Sequence, residues 1–225
     1  MTQKPSNSLD LMALPSDWKV RVEQLLSLMP SVRLILCYGS RWAGIATPES
    51  DYDMIVIGNK MLSLHDVAHL RRQVKQRLPD VDWHWLSVRG ARANRLINPT
   101  LSWAMRTGYV VGDPHVLGPE VPVPISTLRS TAQDVLDDLN ALHRLDDPWD
   151  GNGLAFRQLA KRVVVLDQIL AGVANSLHLS REVQLIMQAG NPEQAIRMRA
   201  QAIIDQTVQI PPNAGDVAFH EAIHG

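Results

Sequence analysis

Two short apolar runs limit most strongly how this chain can fold. "VRLILCY" (Val32 to Tyr38) and "DMIVIG" (Asp53 to Gly58) are β-prone and show little alternation of polar and apolar side chains. Such runs predict strands buried on both faces. The polar residues lie at their ends. The first run stops at Gly39-Ser40, and a ten-residue spacer follows from Arg41 to Ser50. Asp51 and Asp53 then flank Tyr52 where the second run begins. Acidic residues at the mouth of a buried strand call for a chemical reason.

The rest of the front half fits around these strands. Ser16 is placed to cap a helix reaching about Met29, whose Trp18, Val22, Leu25, Leu26 and Met29 recur at helical spacing before Pro30. Ser63 is placed to cap a second helix, which runs to about Leu78 and ends at Pro79. "VDWHWLSV" (Val81 to Val88) alternates, with Val81, Trp83 and Trp85 on one face and Asp82, His84 and Leu86 on the other, which predicts a third strand. A helix from about Pro99 to Thr107 leads into "YVVG", a short fourth strand.

From Gly112 to Pro124, proline and glycine recur too often for a helix to pass through. Beyond this stretch no strand pattern appears. Ser126 to about Leu145, Asn152 to Gly172, Ser180 to Ala189 and Asn191 to about Gln206 each read as helices. The last has Asn191 at the cap and Pro192 in its first turn. The expected organisation is a polar mobile tail over residues 1–14, a mixed α/β domain over 15–115, a proline-rich linker over 116–125 and a helical domain over 126–225.

Composition excludes several function classes. A net charge of -1 argues against a protein held on nucleic acid by bulk electrostatics. The single cysteine, Cys37, allows no internal disulfide framework and suits a reducing cytoplasm. No apolar run approaches the roughly 18 residues of a membrane span, and no signal-peptide pattern opens the sequence. The expected location is cytoplasmic.

The polar ends suggest phosphate and metal chemistry. Residues i and i+2 on a strand share a face, so Asp51 and Asp53 would look into one space about 6–7 Å apart. Two bare carboxylates there repel, and a divalent cation removes the conflict. Hard oxygen ligands suit Mg²⁺, which completes its shell with water and substrate phosphates. Asp82 on the third strand is placed to join them if the strands are neighbours. Three carboxylates can hold two ions about 4 Å apart, the arrangement that serves in-line phosphoryl displacement. Gly39 permits close backbone approach, and a short helix starting at Ser40 would offer amides and a hydroxyl to phosphate. Arg41 adds a planar cation.

This pattern resembles the signature of the DNA polymerase β-like nucleotidyltransferase superfamily. The carrying residues are "GSRWAGIATPESDYD" after an apolar strand, with Asp82 as the third carboxylate. Within the spacer Arg41, Gly44, Ala46, Thr47, Pro48 and Ser50 look like those of the small bacterial and archaeal members, as does "MRTGYVVGDP" further on. The resemblance covers about residues 15 to 115. It departs at Trp42, where a small residue is usual, and at Asp80, a competitor for the third position.

The resemblance implies an α+β fold, with a mixed sheet flanked by helices and an all-α C-terminal domain covering the cleft. It implies two Mg²⁺ ions, with Mn²⁺ as a substitute, held by Asp51, Asp53 and Asp82. It implies an NTP, ATP favoured, bound through Gly39, Ser40, Arg41 and Ser50. An acceptor hydroxyl then takes an NMP and pyrophosphate leaves. The acceptor expected first is a small molecule such as an aminoglycoside. The alternatives are a protein acceptor, as in AMPylating antitoxins, and a nucleotide-binding regulatory protein without turnover. Nucleic acid is disfavoured as a partner, no membrane is implied, and the apolar helical faces leave a second copy of the chain open as a partner.

Other motifs have plainer readings. His220, Glu221 and His224 spell H-E-x-x-H, but a catalytic zinc needs a third protein ligand. Arg157 and Lys161 are read first as a solvated helix face, with a reach to the triphosphate as the sharper idea. Asp134, Asp137 and Asp138 read as surface acids. Cys37 reads as packing.

Overall fold

The computed structural model describes residues 11–142 and 153–224. The chain divides into two compact units: Met1–Ala93 with Thr107–Pro119, and Asn94–Arg106 with Glu120–Gly225.

The first unit carries the sheet. Helix α1 (Ser16–Leu28) leads into β1 (Val32–Tyr38), a single helical turn α2 (Gly39–Trp42), β2 (Tyr52–Gly58), α3 (Leu64–Arg77) and β3 (Val81–Ser87). The start of α4 (Val88–Ile97), strand β4 (Tyr109–Gly112) and a 3-10 turn (Pro114–Leu117) complete it. The strand order is β3-β2-β1-β4. β1 runs antiparallel to both β2 and β4, while β2 and β3 are parallel and joined through α3. The fold is therefore α+β with a four-stranded mixed sheet. The two unbroken apolar runs became the two central strands, as burial on both faces requires.

One face of the sheet packs Cys37, Met54, Val56 and Trp83 into a core with Trp18, Val22 and Leu25 of α1. Leu34, Leu36, Ile55 and Ile57 point the other way and are also buried. Leu14 is buried and Leu11 packs on the same core, so residues 11–14 are not the free tail expected of them. Residues 1–10 of that expected tail lie outside the described residues. Ser63 caps α3 as expected, its hydroxyl accepting from the Asp66 amide at 3.1 Å.

The sequence pattern does not predict helix α4. Gly90 sits in its first turn and lowers its helical propensity by about 1 kcal/mol against alanine. The signal that could have found it is Ser87, whose hydroxyl accepts from the Gly90 amide at 3.0 Å in the manner of a cap.

The second unit is helical: α5 (Pro99–Thr107), α6 (Ile125–Leu142), α7 (Leu154–Leu170), α8 (Ser176–Gln188), α9 (Pro192–Gln209) and α10 (Ala214–His224). Leu128, Val135, Leu139, Val163, Leu166, Ile186, Ile196 and Ile203 form its core. Asn191 caps α9, accepting from the Gln194 amide at 2.9 Å. Helix α8 starts four residues before its expected position at Ser180, because Asn175 caps it at the His178 amide, 3.0 Å. The expected end of α6 near Leu145 lies outside the described residues.

The chain passes to the helical unit between Pro119 and Glu120, inside the expected linker at 116–125, but an earlier stretch joins that unit too. Residues 94–106, which include most of α5, belong with the helical unit. Trp103 donates to Gln168 Oε1 at 2.8 Å, and Thr127 donates to the Leu96 carbonyl at 2.7 Å. Residues up to Pro119 stay with the sheet, where Arg92 holds the Val116 carbonyl.

The N-terminus of α6 is capped from far along the chain. Asp216 of α10 accepts from the Ile125 amide at 3.0 Å, the Ser126 amide at 3.0 Å and the Asn213 amide at 2.9 Å. Burial opposes its ionisation, but the Ser126 hydroxyl and these amides prevail and hold its pKa below the usual carboxylate value. Asp216→Ala is expected to cost about 1–2 kcal/mol, the worth of a good cap. A depressed folded pKa gives stability that is present above the unfolded value near 4 and lost as pH falls through the folded one. The gap between wild type and variant in thermal melts should therefore narrow as pH drops below about 4. A gap independent of pH would show that the Asp216 charge does not matter.

Candidate functional site

The candidate site is built from the ends of β1, β2 and β3. Register sets Tyr38 opposite Asp53, and Asp53 opposite Asp82. Cross-strand partners project to one face, so the three residues form a single row. The row stands on the face turned away from Met54, Trp83 and α1. Asp53 is half-buried and Asp82 is exposed. The Tyr38 phenol is pushed well above its ordinary pKa, first by burial and then by the charges of Asp53 and Asp82. It remains a proton-bearing neighbour of the acidic pair.

Gly39 follows Tyr38 with φ +85°, in the region that favours glycine. A Cβ built there would overlap the Asp53 carboxylate. Only a residue without a side chain lets the backbone lie this close to that acid. The helical turn expected to begin at Ser40 is present and starts at Gly39. Its carbonyls are used at once: Gly39 accepts from the Ala43 amide and Ser40 from the Ile45 amide, both at 3.0 Å.

The other nucleotide-binding candidates have partners within the spacer. Ser50 accepts from the Thr47 amide at 3.0 Å, which folds residues 47–50 into a turn. Arg41 donates to the Ser50 carbonyl at 2.6 Å and the Pro48 carbonyl at 3.2 Å, and lies 4.5 Å from the Tyr52 ring centroid.

Asp51 is exposed and stands just before β2, which begins at Tyr52. The i, i+2 argument that aligned it with Asp53 therefore lacks a paired strand at Asp51. Among the described residues no group of three or more His, Cys, Asp or Glu side chains is placed to hold a metal ion. The structure brings Asp53 and Asp82 into register and does not gather Asp51 with them into such a cluster.

Asp80 lies just before β3 and outside the row. It is taken by Arg21, whose Nε donates to Asp80 Oδ2 at 3.0 Å and whose Nη2 also reaches that oxygen. The hydrogen bond from Arg21 holds the Asp80 carboxyl below its usual pKa. Asp80→Asn is therefore expected to disturb any function of the row less than Asp82→Asn does. Parallel assays of the two variants check this, and equal losses would contradict it.

Trp42 also has a structural role. Its ring meets Trp18 edge-on at 5.7 Å and Tyr109 at 5.1 Å. Trp18 in turn meets Tyr52 at 4.9 Å. The bulky residue in the motif thus ties the turn after β1 to α1 and β4.

His84, exposed on the same face of β3, has Nε2 3.9 Å from Asp82 Oδ2. The alternation of "VDWHWLSV" carries that signal. Buried Cys37 has its thiol pushed up to about 12 by desolvation, in line with packing. Arg162 is paired with Asp138 at 2.6 Å, and Asp137 accepts from Gln133. His220 and Glu221 lie on α10, while the side chain of His224 lies outside what is described.

No family model matches the chain, and no curated protein sequence matches it. Among solved structures, one match is a chain from a crystal structure of a toxin-antitoxin with AMP-PNP. It is 20% identical, the match covers 54% of this chain and 97% of that one, and the TM-score is 0.36. Among the described residues no helix is long and apolar enough to cross a membrane.

Proposed function

We propose that the chain is a Mg²⁺-dependent nucleotidyltransferase. It moves an NMP, AMP in preference, from an NTP to a hydroxyl acceptor and releases pyrophosphate. A small molecule such as an aminoglycoside is the favoured acceptor. The observation that carries this reading is the contact between Gly39 and Asp53. Bare backbone at the end of β1 lies directly against a carboxylate that is in register with a second at Asp82. An ordinary strand–turn–strand has no need of that approach.

The donor set fits the ion. Mg²⁺ is commonly held by one or two carboxylates plus substrate phosphates, without an all-protein cage. Asp53 and Asp82, in register on β2 and β3, would supply the pair. When bound, Mg²⁺ would neutralise the phosphates and acidify the acceptor hydroxyl. Gly39 and Ser40 would receive the β- and γ-phosphates at the turn after β1. Asp82, the exposed member of the row, would face the acceptor and orient its hydroxyl toward the α-phosphorus. The acceptor oxygen would bond to that phosphorus as its proton passes to the Asp82 carboxylate and on to solvent, the bond to the bridging oxygen would break, and pyrophosphate would depart with the electron pair. Tyr38 would hold a proton beside the acidic row throughout.

Pyrophosphate release from each NTP with Mg²⁺ tests the reading, screened against aminoglycosides, proteins and RNA. Release that depends on an aminoglycoside supports it. Release that depends on a protein replaces the acceptor with the AMPylation alternative. Nucleotide binding with no release under any acceptor favours the regulatory alternative and ends the enzyme reading.

A further inference from the structure

We propose that Arg41 is a positioning residue that fastens the spacer loop to the start of β2, and is not a ligand of the triphosphate. This deepens the nucleotidyl-transfer reading and rests on it.

The guanidinium is already committed. Its Nε and Nη2 donate to the carbonyls of Ser50 and Pro48 at 2.6 and 3.2 Å. Its Cζ lies 4.5 Å from the Tyr52 ring centroid. A planar fork can hold two carbonyls and stack on a ring at once, and an ammonium cannot. Arg41 and Ser50 are the two ends of the spacer, so this one half-buried side chain closes the loop. Its targets bracket Asp51: Ser50 precedes that acid and Tyr52 follows it. Turning Arg41 toward a phosphate would leave both carbonyls without this donor and would release the ring.

The anchor on the far side is equally defined. Tyr52 donates its hydroxyl to Asp17 at 2.8 Å, and the Arg21 guanidinium lies 3.8 Å from its ring centroid. Arg21 also holds Asp80, whose carbonyl accepts from the Tyr52 amide at 2.8 Å. Two residues past Asp80 is Asp82. Arg41 thus clamps the spacer to a network that sets the starts of both β2 and β3, where the acidic pair stands. Its loss should loosen the loop and disturb Asp51 and Asp53 together, for any nucleotide that uses them.

The test compares wild type with Arg41→Ala and Arg41→Lys in two assays. The first is cleavage after Glu49, an exposed residue of the spacer, by a glutamate-specific protease. The second is the ratio of ATP to AMP affinity in Mg²⁺. A positioning residue predicts faster cleavage in both variants. It also predicts equal weakening of ATP and AMP, so their ratio stays within about twofold of wild type. Lysine should rescue neither the cleavage rate nor the nucleotide affinities, because it lacks the fork.

A phosphate ligand predicts the reverse. The ATP to AMP ratio would fall about tenfold in Arg41→Ala, the worth of a charge-assisted hydrogen bond, and lysine would recover most of it. Cleavage would be unchanged. A fall in the ratio beyond about threefold overturns the proposal whatever the protease shows. If wild type binds neither nucleotide, the nucleotidyl-transfer reading fails by itself. The cleavage rates then decide this assignment alone: faster in both variants supports it, unchanged in either overturns it.

Discussion

Replacing Gly39 by alanine is expected to be among the most damaging single-methyl changes in the chain. Two effects combine. The backbone there has φ +85°, and holding a residue with a Cβ in that region costs about 1–2 kcal/mol. The new methyl would also overlap the Asp53 carboxylate. Asp53 sits on a central strand whose backbone is paired on both sides, so its side chain must yield. Stability should fall by the backbone cost, and nucleotide binding should be lost with the displaced acid. Gly44→Ala is the control. Gly44 also has positive φ, at +72°, but nothing lies within 4 Å of its built Cβ. It should show a comparable loss in thermal melts and keep nucleotide binding. Equal binding by the two variants would contradict the role given to the Gly39–Asp53 contact.

Asp53→Ala carries the second large expectation. Asp53 is the middle of the row, opposite Tyr38 on one side and Asp82 on the other. Removing it takes away the only acid in the set that is both on a central strand and against bare backbone. Pyrophosphate release should fall on the order of 10³-fold, the scale seen when a group that stabilises developing charge is deleted. The variant also relieves the repulsion between like charges standing opposite one another at Asp53 and Asp82, a destabilising term of roughly 0.2–1 kcal/mol, so the loss of activity is expected without global unfolding. Activity assays beside thermal melts separate the two quantities. A variant that loses activity only because it unfolds would show both falling together.

Much of the first unit was legible because its signals are local. The runs at Val32–Tyr38 and Val81–Ser87 and the cap at Ser63 follow from periodicity and from chemistry within a few residues. The row of Tyr38, Asp53 and Asp82 was legible only in part. The identity of the acids could be read, but their register depends on how far β3 slides against β2. Asp80 and Asp82 could not be separated without Arg21, which comes 59 residues earlier in the chain. The bulk of Trp42 was visible, and its reason was not, since Trp18 and Tyr109 lie far off in sequence.

The membership of residues 94–106 in the helical unit was hidden for the same reason. Pro99–Thr107 reads as a helix from its own residues, but its place beside α7 depends on Trp103 finding Gln168, 65 positions later. Helix α4 was hidden by the opposite problem: Gly90 weakens its local signal, and the Ser87 cap overlaps the end of a strand. Arg41 shows a third limit. Its type suits a phosphate or a pair of carbonyls equally well, and only the path of the spacer separates them.

The measurement that tests the central claim most directly follows phosphorus. ATP labelled at the α-phosphate and ATP labelled at the γ-phosphate are incubated separately with the protein, Mg²⁺ and a pool of aminoglycoside and protein acceptors. Nucleotidyl transfer predicts α-label on an acceptor, γ-label only in pyrophosphate, and neither outcome with Asp53→Ala. Transfer of γ-label to an acceptor, or α-label transfer that survives Asp53→Ala, would contradict the account.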